Sequence, residues 1–330
     1  MPDLRTRYLG LELRNPIIAA SSGLTSTIKG VTRCVDAGVG AVVLKSLYEE
    51  QLSSEGAELR QELFDADHPE AQAYADADIS LAYGAKNLIE LIEKSREVAA
   101  PKGVPIIASI SCLSEKWWPE YAAQIEAAGA DALELNPSMA GLFAGVAPEK
   151  LAGHYLSVLK TVNEAVELPV GLKLGPHGIG LGLIIDLLER GAAGVVLFHR
   201  PLRPHIDVER LKLSYDLMPS HPSEAGEVIR WIGNLAGRVN GSLCGNTGVH
   251  SVEGLIAMLL AGADAVQLAS LFYLRGAGFA HKLVVGLEEW MKRQGYEKLE
   301  DFVGLLCAEK APRPEAYERT QYMRSFLGHD

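Results

Sequence analysis

The chain has 330 residues, of which 48% are apolar and 22% charged, and a net charge of −11. That length holds one large or two ordinary domains, and the apolar share provides a substantial core rather than a disordered chain. The acidic balance argues against nucleic-acid and anionic-membrane partners, which select a basic footprint, and no apolar run reaches the ~18 residues of a bilayer span.

The opening "MPDLRTRYLGLELRNP" lacks the apolar core of a signal peptide. Its "RYLGLELRNP" reads as a short hairpin ahead of the first strand. From there the chain alternates strand and helix. "DAGVGAVVLKS" (36–46), "AAGADALELN" (127–136), "ERGAAGVVLFHR" (189–200) and "LAGADAVQLAS" (260–270) share one grammar. A helix ends, a Gly follows, and a short apolar strand closes on polar residues. Gly suits the left-handed position after a helix, and a wholly apolar strand suits a parallel sheet covered on both faces.

"PIIAAS" (16–21), "PIIASIS" (105–111), "PVGLKL" (169–174) and "GSLCGN" (241–246) supply four more strands. Helical patterns run over Pro119–Ala128, Leu151–Val166, Leu183–Glu189, Glu224–Leu235 and Val252–Leu260. Eight strand–helix units in order predict a (β/α)8 TIM barrel, one domain over 1–330. An open doubly wound sheet is the competitor, but no GxGxxG follows the first strand. Three stretches exceed ordinary connections: 47–84 and 201–222, expected as insertions over the active-site face, and a tail at 296–330.

Barrel chemistry sits at the C-terminal ends of strands. Here those ends carry Ala20-Ser21, Lys45-Ser46, Ser111-Cys112, Asn136, Lys173, His199-Arg200, Asn246-Thr247-Gly248 and Ala269-Ser270. Together they describe a lined pocket. In "VGLKL" alternation puts Gly171 and Lys173 on one face and the leucines on the other, so Lys173 points into the barrel. A buried ammonium needs an anion, either a ligand or Glu134, which shares the inward face with Asn136 in "LELN". "CGNTGVHSVEG" (244–254) reads as a strand, a tight turn and a helix start, an anion site between strands 7 and 8 or an ordinary turn. With small residues at strand 1, this suits FMN or a phosphorylated sugar.

The four cysteines, Cys34, Cys112, Cys244 and Cys307, form no CxxC pair, so no metal ligand set is predicted. They fit reduced thiols in a cytoplasm.

"LGLELRNPIIAASSG", "VVLKSL", "IIASIS", "LELN", "VGLKL" and "GNTGV…GADAVQLAS" resemble the FMN-dependent dihydroorotate dehydrogenases, in order and over essentially the whole chain. The chain is most similar to the soluble class and its "dihydroorotate dehydrogenase-like" branch. The resemblance implies a flavin oxidoreductase passing hydride between a small substrate and flavin N5, a cytoplasmic homodimer, and a link to pyrimidine biosynthesis. It implies that Ala20, Ser21, Lys45 and Ser46 line the flavin and that Asn136 stands at the flavin–substrate junction. Lys173 would sit near flavin N1, and Gly245, Thr247, Gly248, Ala269 and Ser270 would hold the phosphate.

The substrate half departs from the family. Where the family reads Asn-x-Ser, then a Cys or Ser base, this chain has Asn136-Pro137-Ser138-Met139. A thioether is no proton acceptor at physiological pH, so Met139 is not that base. The family's Asn-x-x-Gly-Leu-x-Asn segment is replaced by the acidic "FDADHPEAQAYADADIS". The Asn expected at the end of strand 6 is His199, followed by Arg200. The expectation is a small substrate other than dihydroorotate, and the basic "HRPLRPH" (199–205) points to an anionic one. Candidate substrate residues are Lys45, Asn136, His199 and Arg200. Candidate catalysts are Lys45, Lys173, His199 and Ser138, with Cys112 and His177 near the rim. Alternatives are genuine dihydroorotate oxidation with a displaced base, a Lys173 Schiff-base lyase on a phosphorylated carbonyl compound, and a flavin carrier without turnover.

Overall fold

The four repeat glycines, Gly38, Gly129, Gly191 and Gly262, all have positive φ and end helices as the repeat predicts. In two of the repeats the Asp after the glycine caps a neighbouring strand. Asp131 accepts the Ile106 N–H and Asp264 accepts the Leu243 N–H, each at 2.8 Å. These caps fix where two parallel strands begin. The computed structural model describes residues 1–49, 85–112, 114–137, 147–176, 178–200, 205–214 and 219–327.

In chain order the elements are β1 (Thr6–Tyr8), β2 (Leu11–Leu13), β3 (Ile17–Ala19), α1 (Ile28–Asp36), β4 (Ala41–Val43), β5 (Leu47–Tyr48) and α2 (Ala85–Ala99). Then come β6 (Ile106–Ser111), α3 (Trp117–Ala127), β7 (Ala132–Leu135), α4 (Pro148–Asn163), β8 (Val170–Leu174), α5 (Leu181–Glu189) and β9 (Gly194–Leu197). The chain continues through β10 (His205–Asp207), β11 (Lys212–Ser214), α6 (Ala225–Leu235), β12 (Ser242–Asn246), α7 (Val252–Ala261) and β13 (Ala265–Leu268). It ends with α8 (Ser270–Arg275), α9 (Phe279–Gln294) and α10 (Tyr317–Leu327). Strands β3, β4, β6, β7, β8, β9, β12 and β13 pair in parallel, and β4 pairs with β6 to close the ring. This is the expected (β/α)8 barrel.

Side-chain alternation gives the barrel two cores. Outward residues such as Leu133, Leu172 and Val266 pack against the helices. Inward residues such as Ile18, Val43, Ala132 and Ala265 pack inside the ring with Tyr8, Leu9 and Leu13 of the N-terminal hairpin. The hairpin turn is Leu9-Gly10, both at positive φ, between the paired residues Tyr8 and Leu11. Left-handed backbone at Leu9 costs about 1–2 kcal/mol. Full burial of its side chain in the space left by Gly171 and Gly194 returns roughly 1.5–3 kcal/mol. The hairpin therefore plugs the barrel floor.

Some boundaries differ from expectation. Helix α3 starts at Trp117, before Pro119, because the first turn of a helix leaves its N–H groups without intrahelical partners and a proline there forfeits nothing. The 47–84 stretch begins with β5, which adds to β6; residues 50–84 lie outside the described part. Within 201–222, β10 and β11 form an antiparallel ribbon. The 296–330 tail holds 3-10 turns and α10. Among the described residues no helix is long and apolar enough to cross a membrane.

Candidate functional site

A cavity of about 190 Å³ opens at the C-terminal ends of β3, β8, β9, β12 and β13. On one side Ala20, Ser21, Lys173, His199 and Arg200 line it. Thr247, Gly248, Ala269 and Ser270 line the other side. Ser46 adjoins the wall through Ser21, and Lys45 lies within electrostatic reach of Lys173 and His199, while Asn136 follows the end of β7 and is not a wall residue. Gly245 does not face the cavity. Its parity is outward, and a side chain there would meet Met258 and Ile232 in the helix layer. Its inward neighbour Asn246 lines the cavity instead and donates from Nδ2 to the Phe198 carbonyl at 2.6 Å. Ser138, Met139 and His177 lie outside the described residues.

The Thr247–Gly248 side of the cavity is built by a turn under strain. Thr247 has φ of +82° and Gly248 +79°. A β-branched residue is held there only when its surroundings over-determine it, a pattern that clusters at ligand sites. Ser220, brought in by the insertion after β9, packs onto this turn. Its N–H donates to Ser270 Oγ at 2.9 Å, its Oγ accepts the Gly248 N–H at 3.3 Å, and His250 Nε2 is 2.9 Å from the same oxygen. Sequence reading passed over Ser220, since its place depends on how the insertion returns.

Next to it runs a row of hydroxyls. Ser21 Oγ lies 3.0 Å from Ser46 Oγ, which lies 2.8 Å from Ser109 Oγ. The Ser46 N–H donates to Ser21 Oγ at 2.9 Å, locking the first two strand ends together. Ser111 Oγ donates to the Asn136 carbonyl at 2.8 Å, while Asn136 Oδ1 is buried without a hydrogen-bond partner among the described residues.

The electrostatics favour an anion. Burial, and then the charge of Lys173, lower the Lys45 pKa; its ammonium also lies 4.7 Å from the centre of the Tyr48 ring. Burial pushes His199 down to about 4, helped by Lys173 and Lys45. The imidazole is therefore neutral near neutral pH and a weak proton acceptor. Its Nδ1 is buried and lacks a partner among the described residues. Arg200 is turned to Glu224, with Nε to Oε2 at 3.1 Å. Lys173 is 6% exposed and donates to Gln267 Oε1 at 2.7 Å, with Glu134 Oε1 at 3.5 Å. Gln267 was missed as a site residue, although it shares inward parity with Ala265 and Ala269. Among the described residues, no three His, Cys, Asp or Glu side chains gather as a metal site.

No family model matches the chain. It is 28% identical over 317 residues to a protein of Aeropyrum pernix provisionally named dihydroorotate dehydrogenase A (fumarate), covering 92% of this chain and 97% of that one. It is 26% identical over 318 residues to the Dihydroorotate dehydrogenase B (NAD(+)), catalytic subunit, of Methanothermobacter thermautotrophicus, covering 92% and 98%. The protein of the same name from Pyrococcus abyssi is 28% identical over 322 residues, covering 92% and 98%.

Proposed function

The chain belongs to the dihydroorotate dehydrogenase family, and from that premise we propose that it is an FMN-dependent oxidoreductase acting on a small anionic substrate other than dihydroorotate. The single observation carrying the cofactor is the cavity with buried polar atoms left unmatched beside it. A phosphate calls for hydrogen-bond donors, and the hydroxyls of Thr247 and Ser270 line the cavity beside the Gly248 turn. A flat ring calls for small neighbours, and Ala20 and Ala269 are small. An edge that becomes negative on reduction calls for a cation, and Lys173 is there. Asn136 Oδ1 and His199 Nδ1 each need a partner that a heterocycle carries. The residues present fit the group.

When bound, FMN supplies the hydride-accepting centre. The chain's own residues hold the substrate beside it: Lys45 by charge, Asn136 and neutral His199 by hydrogen bonds, and Arg200 where an anion competes with Glu224. The substrate assignment rests on Met139 standing where the family keeps its proton acceptor. A yellow purified protein that bleaches with dithionite supports the cofactor; a colourless protein that takes up no FMN refutes it. The same reading makes the protein a cytoplasmic homodimer, which sedimentation checks.

The names of the relatives favour a second reading, oxidation of dihydroorotate itself in pyrimidine biosynthesis. Gain of that activity in Met139→Cys would identify the missing base as the obstacle. Those names carry two different oxidants, so they leave the electron acceptor open. A Lys173 Schiff-base lyase is disfavoured by the engagement of its nitrogen with Gln267 and Glu134. Borohydride trapping of a carbonyl compound on Lys173 is its test.

A further inference from the structure

Glu134 and Gln267 are each only 1% exposed, yet neither has a task in the reading above. They enter the barrel interior from β7 and β13, strands on opposite sides of the ring, and meet at Lys173. Lys173 Nζ donates to Gln267 Oε1 at 2.7 Å. The Gln267 amide in turn donates from Nε2 to Glu134 Oε2. Direct contact between Lys173 and Glu134 is longer, 3.5 Å, and Glu134 Oε1 accepts no hydrogen bond among the described residues.

A buried ammonium and carboxylate left to themselves close to a charge-assisted hydrogen bond of roughly 2.7–2.9 Å. Here an amide is interposed, and an amide is the group that accepts from a cation at one end and donates to an anion at the other. Methionine would satisfy neither partner, and a second carboxylate would repel Glu134. The groups around the trio are fixed as well. The Tyr8 hydroxyl and the Cys244 thiol stand on the Glu134 side, both with pKa values raised chiefly by burial. Lys45 and His199 stand on the cavity side, within electrostatic reach of Lys173.

We infer that Gln267 is a positioning residue that holds the Lys173 ammonium short of full pairing with Glu134, leaving its charge for an anionic edge of the ligand, and that Glu134 sets how much of that charge the ligand feels. The inference rests on the FMN reading. Reduction adds negative charge to the ligand, so the balance between Lys173 and Glu134 sets the midpoint potential of the bound cofactor. Removing Glu134 unmasks Lys173. Removing the Gln267 amide lets Lys173 close on Glu134 and masks it. The two changes therefore act with opposite sign.

The test is the midpoint potential of FMN-loaded wild type, Glu134→Gln and Gln267→Met, measured by equilibrium reduction against a reference dye, with FMN affinity measured alongside. Glu134→Gln is expected to raise the midpoint and Gln267→Met to lower it. Each tenfold change in the ratio of affinities for reduced and oxidised cofactor moves a two-electron couple by roughly 30 mV. If Gln267→Met folds poorly, Gln267→Leu carries the same expected sign. A network that only satisfies buried polar groups predicts lost stability with an unmoved potential. Shifts in the same direction, or none, in folded variants overturn the inference and leave the FMN reading standing. A wild type that takes up no FMN overturns both.

Discussion

Replacing His199 by Asn removes a titrating ring from a pocket that resists its charge. Burial, Lys173 and Lys45 hold the folded imidazole at about 4, against 6.5 for the unperturbed group. Between those values the unfolded chain binds the proton and the folded chain does not, so stability falls as pH drops from 6.5 towards 4. Over the whole interval the loss is about 3.4 kcal/mol, at about 1.36 kcal/mol per pKa unit. At about pH 4.5 it reaches roughly 2.5 kcal/mol, and partial exposure of the ring trims this to about 2 kcal/mol. Urea unfolding of flavin-free wild type and His199→Asn at about pH 7.5 and 4.5 isolates this contribution, because other titrating groups cancel between the two proteins. Wild type is expected to lose about 2 kcal/mol more than the variant on acidification. An identical pH dependence would refute the electrostatic account of the pocket.

Gly248→Ala puts a methyl group 2.2 Å from the Ala225 backbone nitrogen at a φ of +79°. The left-handed backbone alone costs about 1–2 kcal/mol, and the clash with an immovable main-chain atom adds to it. Thermal unfolding should show the loss, and FMN affinity should fall at least about tenfold as the start of α6 is pushed from the turn. Asp264→Asn tests the barrel floor. Burial raises the Asp264 pKa from 3.8 to about 6, so the native state binds the extra proton and wild-type stability falls as pH rises through that window. An Asn still accepts from Leu243 N–H and carries no charge, so a gain of about 1–2 kcal/mol is expected near pH 8 and none near pH 4. A variant equally stable to wild type at both pH values would contradict the assignment.

Much of this molecule is legible from period-two alternation and the glycine repeat. Gly171 and Lys173 face inward and Leu172 and Leu174 outward because successive side chains of a strand point to opposite faces. The same parity assigns Gly245 to the helix layer and Asn246 to the cavity. Three features depend on closure of the ring and are invisible along the chain. Gln267 reaches Glu134 across the barrel, 133 positions away in sequence. Ser220 reaches Ser270 from 50 positions away in sequence. The depressed pKa of His199 comes from burial at the barrel mouth first, and then from two lysines of other strands. Sequence supplies the residues of such a pocket, while their titration is a property of the assembled charges.

The most direct test of the whole account is anaerobic mixing of the FMN-loaded protein with dihydroorotate, followed by dithionite, watching the visible flavin band. A flavin that stays oxidised with saturating dihydroorotate and bleaches with dithionite is the predicted result. Rapid bleaching by dihydroorotate would contradict the substrate assignment and return the chain to the chemistry its relatives are named for.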